Sequence, residues 1–241
     1  MLPSIFSEIV VLDDRILIWL NQFMFRWPHL DMFLRWLLSA NIVKFLPIVL
    51  VVCWLWFERT PKQAFNRQIL VESLLTGFAA LFIARFLALM LPFRERPFLT
   101  PELHFVTPIE TGLLRTWSSF PSDHAVMAFA LAASLFRISP RIGIWACFHA
   151  AVIICFPRLY FGFHYPSDLI GGGLIGITLV LAASRLQGRH AVTGFLLDVE
   201  RKHPAMFYAI GFFALFEIAE MFDSIRDFAA HTFRVARQLF S

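Results

Sequence analysis

Charge is scarce in this chain. Its 241 residues include 21 Lys and Arg and 17 Asp and Glu, so 16% are charged, where a soluble domain carries about 25%. That scarcity excludes a disordered, highly charged chain and argues against a soluble enzyme or a nucleic-acid binder. Cysteine is scarce too. Cys53, Cys147 and Cys155 lie singly in apolar runs without a CxxC pair, which suggests neither a zinc site nor a disulfide framework. No low-complexity segment or short-period repeat is visible. The opening MLPSIFSEIV lacks a basic stretch and soon meets Asp13 and Asp14, so it does not read as a cleaved signal peptide.

What abounds is apolar bulk: 59% of residues are hydrophobic, 29 are Phe, and the mean hydropathy is +0.69. These values predict an all-α, polytopic membrane bundle. The net charge of +4 and pI near 9.3 then fit loop arginines meeting anionic lipid headgroups better than a nucleic-acid partner.

Hydropathy divides the chain into an N-terminal segment 1–41, a core 42–185 and a C-terminal extension 186–241. Residues 5–38 are apolar but broken by Glu8, Asp13, Asp14, Arg15, Arg26 and Asp31, the pattern of one or two amphipathic interfacial helices. Five spans follow, near 42–57, 69–91, 124–136, 142–156 and 169–184; 157–168 reads as a polar turn. Gly171, Gly172 and Gly173 open the fifth, where small residues let helices approach closely. A sixth apolar stretch, 205–222, contains Glu217 and Glu220, and acids are costly in lipid. We expect it, with the basic tail carrying Arg226, Arg234 and Arg237, to lie at the cytoplasmic interface or form a hairpin there, its acids on a wetted face. Nine basic residues fall in loops 58–68, 137–141 and 185–203, and four in loops 92–123 and 157–168. The basic side should be cytoplasmic, which places loops 92–123 and 157–168 outside. That model weakens at the N-terminal segment, which would sit outside despite Arg15, Arg26, Arg35 and Lys44.

The outer loops hold the chemistry. Arg94-Glu95-Arg96-Pro97 follows the second span, Ser119 to His124 leads into the third, and Arg158, His164 and Asp168 bracket the turn before the fifth. Two histidines, several arginines, a hydroxyl and carboxylates suit phosphoryl transfer without a metal or other cofactor, because the planar guanidinium pairs with phosphate oxygens two at a time. Ser122 stands where a helix begins, so it can cap that helix and offer amides to an anion.

Arg158-x5-His164-x3-Asp168, Pro121-Ser122-Asp123-His124 and Arg96-Pro97 resemble, in order, the third, second and first signatures of the type 2 phosphatidic acid phosphatase (PAP2) superfamily, whose fold is shared with vanadium haloperoxidases. The likeness runs from about residue 70 to 185. Leu89 stands where the first signature has Lys, with Arg85 or Arg94 as its replacement. Asp123 replaces a usual Gly, and Pro157 a frequent Ser. Phe120 to His124 is similar to the bacterial undecaprenyl-diphosphatase branch. The resemblance implies a multi-pass protein of the bacterial inner membrane, its site facing the periplasm or exterior, acting on a lipid phosphate or diphosphate. It implies His164 as nucleophile, His124 as general acid and base, Asp168 orienting His164, and Arg96, Arg158, Ser122 and the Asp123 amide holding phosphate.

Other readings stand beside this one: a phosphatase for phosphatidylglycerol phosphate, phosphatidate or several lipid phosphates; a lipid phosphotransferase; a haloperoxidase, which the apolar spans oppose; and an idle scaffold or transporter, which the intact histidine pair opposes. The six remaining histidines, His29, His104, His149, His190, His203 and His231, read as interfacial, with His104 and Arg115 as secondary candidates for substrate contact. Tyr160, Phe161, Phe163 and Tyr165 fit a lipid path or an aromatic belt equally well.

Overall fold

A computed structural model of the protein describes residues 5–105, 115–186, 188–225 and 231–232. Those residues form helices and turns without strands. The helices are α1 (Ile5–Asn21), α2 (Pro28–Ser39), α3 (Asn41–Lys44), α4 (Leu46–Phe57), α5 (Gln63–Met90), α6 (Asp123–Ile138), α7 (Pro140–His149), α8 (Phe156–Tyr160), α9 (Pro166–Ala183), α10 (Arg189–Lys202) and α11 (Pro204–Glu220). Proline stands in the first turn of α2, α4, α7, α9 and α11. There its missing N–H costs nothing and its φ is already helical.

Gln63–Met90, Pro140–Tyr160 and Pro166–Ala183 are long and apolar enough to cross a membrane. At 1.5 Å per residue the first reaches about 42 Å, well beyond a hydrocarbon core of about 30 Å. Each of the five expected spans coincides with helix. The shorter α6 is the hub: Val126, Met127, Ala130, Leu131 and Ser134 on it are buried among α5, α7 and α9. Its closest neighbour is α9, because glycine permits it. A Cβ on Gly176 would lie 2.3 Å from the Val126 carbonyl, and one on Gly172 would lie 2.8 Å from the Ser122 carbonyl.

The expected turn at 157–168 begins later than hydropathy suggests. Helix runs from Pro140 to Tyr160, widened to a π-turn over Ala150–Cys155. Pro157 cannot donate to the turn before it, which favours such a bulge. The neighbouring carbonyl, of Ile154, accepts instead from Arg158 Nη1 at 2.6 Å. A local helix irregularity thereby fixes Arg158, one of the candidate site residues.

The C-terminal extension forms two helices, α10 and α11, that pack on each other and on the bundle. α11 runs antiparallel to α4 along its length. At one end Phe207 stacks on Trp56 and Tyr208 on Phe57; at the other Glu220 accepts from Asn41 Nδ2 at 2.9 Å, just before α4. Glu217 is buried, not on a wetted face. α10 lies at the far end of the bundle, where Glu200 accepts from Arg67 Nη1 at 3.4 Å and from the Tyr208 hydroxyl at 2.8 Å. Arg226, Arg234 and Arg237 lie outside the described residues.

The N-terminal segment forms two helices, and they roof one end of the bundle. Leu34, Leu37 and Leu38 of α2 pack on Tyr160, Phe161 and Phe163, and the Tyr160 hydroxyl donates to the Phe23 carbonyl at 3.1 Å. Tyr160 and Phe161 are core under the roof, not an exposed belt, while Phe163, also buried, lines the cavity beside His164. Tyr165 is likewise buried, beside Leu17 and Leu103.

Candidate active site

A cavity of about 290 Å³ opens among the ends of α5, α6 and α8 and the α3 turn. His124, His164, Arg96 and Arg158 line it, with Asp123, Arg85, Lys44, Trp117 and Asp223. Residues from three separate loops thus converge as the spacing implied.

His164 sits between α8 and α9, in a segment shaped by Gly162. Gly162 has φ +67°, and a Cβ there would lie 2.8 Å from the Phe105 ring, so only glycine fits this turn without strain. The Phe163 amide then donates back to the Arg158 carbonyl at 2.8 Å, and the Phe163 carbonyl accepts from Arg96 Nη1 at 2.9 Å. The loop and both arginines form one unit.

The ring nitrogens of His164 have different partners. Nδ1 lies 2.9 Å from the Ser119 carbonyl, and a carbonyl can only accept, so Nδ1 carries the proton. Nε2 keeps its lone pair and lies 3.3 Å from Arg96 Nη1. Burial, and then the Arg96 charge, lowers His164 to about 4, while Asp168 pulls the other way. Burial draws Arg96 down to about 10, against the pull of Asp168. At neutral pH the imidazole is neutral and the guanidinium charged.

Asp168 is fully buried behind His164, off the cavity wall. Its Oδ2 stands 3.6 Å from His164 Nδ1, accepts from the Tyr165 amide at 2.8 Å and accepts from the Ser119 hydroxyl. It therefore caps α9 and orients the histidine largely through Ser119. Oδ1 accepts from Arg94 Nη1 at 2.6 Å, and Arg94 Nη2 reaches Asp13 on α1 at 2.7 Å. The Ser167 amide also donates to Asp13, at 2.9 Å. Sequence reasoning missed Ser119 and Asp13. The signals were an acid pair inside an apolar helix and a serine just ahead of the PSDH motif.

The remaining candidates separate. Arg85 lines the cavity, pairs with Asp123 and lies over Trp117 at 4.2 Å. Arg94 is held behind Asp168, so Arg85 is the one of the two that faces the pocket. Ser122 corrects its expected place: it caps α6 without a side-chain bond, is fully buried, and donates its amide to the Asp168 carbonyl at 3.3 Å. The tight α6–α9 seam draws it off the pocket wall. Asp123 does reach the pocket, with its carboxylate drawn to Arg85. His104 and Arg115 are exposed and away from the lining; residues 106–114 between them are not described. His149 is not interfacial. It is buried, with Nε2 donating to the Lys44 carbonyl at 2.8 Å.

A family model for the PAP2 superfamily matches residues 69–191, just over half of the chain. The chain belongs to the PAP2 superfamily. The matched PAP2 region runs from within α5 through α9 to the start of α10 and holds every signature residue of the pocket, but leaves out α1 to α4 and α11. Among curated proteins the chain is similar to the undecaprenyl-diphosphatase BcrC of Bacillus subtilis, 29% identical over 132 residues. That match takes in 55% of this chain and only 62% of the relative's length. It is similar also to the putative undecaprenyl-diphosphatase YbjG of Escherichia coli, 27% identical over 158 residues, 61% of this chain and 68% of that one. Among solved structures it resembles a transmembrane PAP2-type phosphatidylglycerolphosphate phosphatase from Bacillus subtilis, with TM-score 0.50 and 20% identity, covering 73% of this chain and 85% of that one. The fold is therefore a PAP2 helical bundle in a membrane protein.

Proposed function

We propose that this PAP2 protein is a lipid phosphatase that removes the terminal phosphate of undecaprenyl diphosphate through a phosphohistidine at His164. The observation that carries the reading is the state of the imidazole. Nδ1–H is committed to the Ser119 carbonyl, and Nε2 offers its lone pair to a pocket walled by Arg96, Arg158 and His124. The two undecaprenyl-diphosphatase relatives support the substrate class.

His164 Nε2 attacks phosphorus as the bond to the leaving oxygen breaks, and His124 gives that oxygen its proton. Water then attacks the phosphohistidine and loses a proton to His124. The Nε2–P bond breaks, and inorganic phosphate leaves with His164 neutral again. Arg96, Arg158 and the Asp123 amide at the start of α6 hold the equatorial oxygens as charge builds. Asp168 stabilises the positive ring through Ser119 and by its own charge. The site faces the outside of the membrane, opposite the basic loops.

Purified protein in detergent should release phosphate from undecaprenyl diphosphate faster than from phosphatidylglycerol phosphate or phosphatidate at matched concentration. His164→Ala should lower that rate by roughly a thousandfold or more. A faster rate on either glycerolipid would overturn the substrate, and retained activity in the variant would overturn the nucleophile.

A further inference from the structure

The cations of the pocket fall into two pairs. Arg96 and Arg158 belong to His164, as described. Arg85 stands on the His124 side, beside Asp123, and Lys44 lines the same cavity. Lys44 lies on α3, outside the region that defines the family, yet three contacts fix it at this site. The Phe45 ring, next in sequence, lies 6.0 Å from the His124 ring. The Lys44 carbonyl accepts from His149, and its Nζ donates to the Leu38 carbonyl at 3.2 Å. The side chain lines the cavity although the residue is only 4% exposed. Arg85 reaches in from α5 to Asp123, the residue before His124.

We propose that Lys44, assisted by Arg85, forms a subsite for the second phosphate of a lipid diphosphate, the phosphate that departs with the lipid. The proposal rests on the phosphatase reading above and deepens it. In an in-line displacement the attacking and leaving oxygens lie on opposite sides of phosphorus. With His164 attacking, the leaving group lies toward His124. A monoester departs as a neutral alcohol and needs no cation there. A diphosphate departs as an anion, and a buried ammonium is costly unless an anion meets it. Asp123, paired with Arg85, and Asp223, just beyond α11 and held by Asn41 Nδ2 at 3.1 Å, line the same cavity, so acids occupy this part of the pocket before substrate arrives. Leu89 is 79% exposed, so the position where the first signature has Lys faces away from this pocket. Lys44 supplies a cation from another helix.

The experiment compares wild type, Lys44→Gln, Lys44→Arg and Arg85→Gln on a polyprenyl diphosphate and a polyprenyl monophosphate of equal chain length. Thermal melting of each protein with pyrophosphate and with orthophosphate runs in parallel. Lys44→Gln should lose roughly ten- to hundredfold in kcat/KM on the diphosphate and under about threefold on the monophosphate, with Arg85→Gln following in the same direction and Lys44→Arg recovering most of the loss. Pyrophosphate should raise the wild-type Tm more than orthophosphate, and Lys44→Gln should erase that difference. Equal losses on both substrates, or a pyrophosphate shift that survives in both neutralised variants, would overturn the subsite. A wild type that hydrolyses neither lipid but keeps a Lys44-dependent pyrophosphate shift would refute the phosphatase reading and uphold the subsite.

Discussion

The nucleophilic role proposed for His164 rests on neighbours acting on opposite sides of one ring. Ser119 fixes the proton on Nδ1, while burial and Arg96 keep Nε2 free. The sign of the resulting pH dependence follows. A histidine lowered to about 4 stays neutral down to mildly acid pH, so the attacking lone pair is lost only below about pH 5. Arg96→Met removes a positive charge that favours the neutral ring, so the pKa rises toward its ordinary value. The acid limb of kcat/KM should move to higher pH, with burial limiting the shift. An acid limb unmoved in Arg96→Met would contradict this account of the imidazole. The signature spacing made His124, His164, Arg96, Arg158 and Asp168 readable as a set. The partners of Ser119 and Asp13 were not readable, although both residues stood out locally, because their contacts to His164, Asp168 and Arg94 cross 45 and more residues of chain.

At the scale of the element, the α6–α9 seam brings PSDH beside the helix that carries Asp168. Gly172 and Gly176 set its spacing. Gly176→Leu places a side chain against the Val126 carbonyl and the α6 backbone, and overpacking of this kind costs about 1–3 kcal/mol. The variant should melt several degrees lower and lose phosphatase activity, while Gly194→Ala, where a Cβ meets nothing within 4 Å, should match wild type by both measures. Equal Tm for Gly176→Leu and wild type would refute the close seam. The helical content of the five spans and the small-residue contact were readable from periodicity and composition. The course of α11 was not. Glu217 and Glu220 made 205–222 resemble a wetted interfacial helix, and only the fold brings Asn41 to Glu220 and buries Glu217.

For the whole molecule, the bundle has two unlike ends. One carries the pocket under the roof of α1 and α2; the other carries Arg67, Glu200 and the basic loops. On the orientation proposed above, the second end faces the cytoplasm. The N-terminal basic residues, which strained that assignment at the level of sequence, lie on α1 to α3 and the turn between α1 and α2, at the pocket end, so the strain remains. Single cysteines at the exposed positions Arg59 and Arg115, in a chain whose Cys53, Cys147 and Cys155 are replaced by Ala, test the orientation in intact cells. An impermeant thiol reagent should label Arg115→Cys directly and Arg59→Cys only after permeabilisation. The reverse pattern would place the site inside.

The most direct test of the account is a rapid-quench experiment with undecaprenyl diphosphate radiolabelled in its terminal phosphate. The wild type should carry an acid-labile, alkali-stable label on the peptide containing His164, formed and lost at rates consistent with turnover, and folded His164→Ala should carry none. Turnover without labelled protein, or label that persists in His164→Ala, would contradict it.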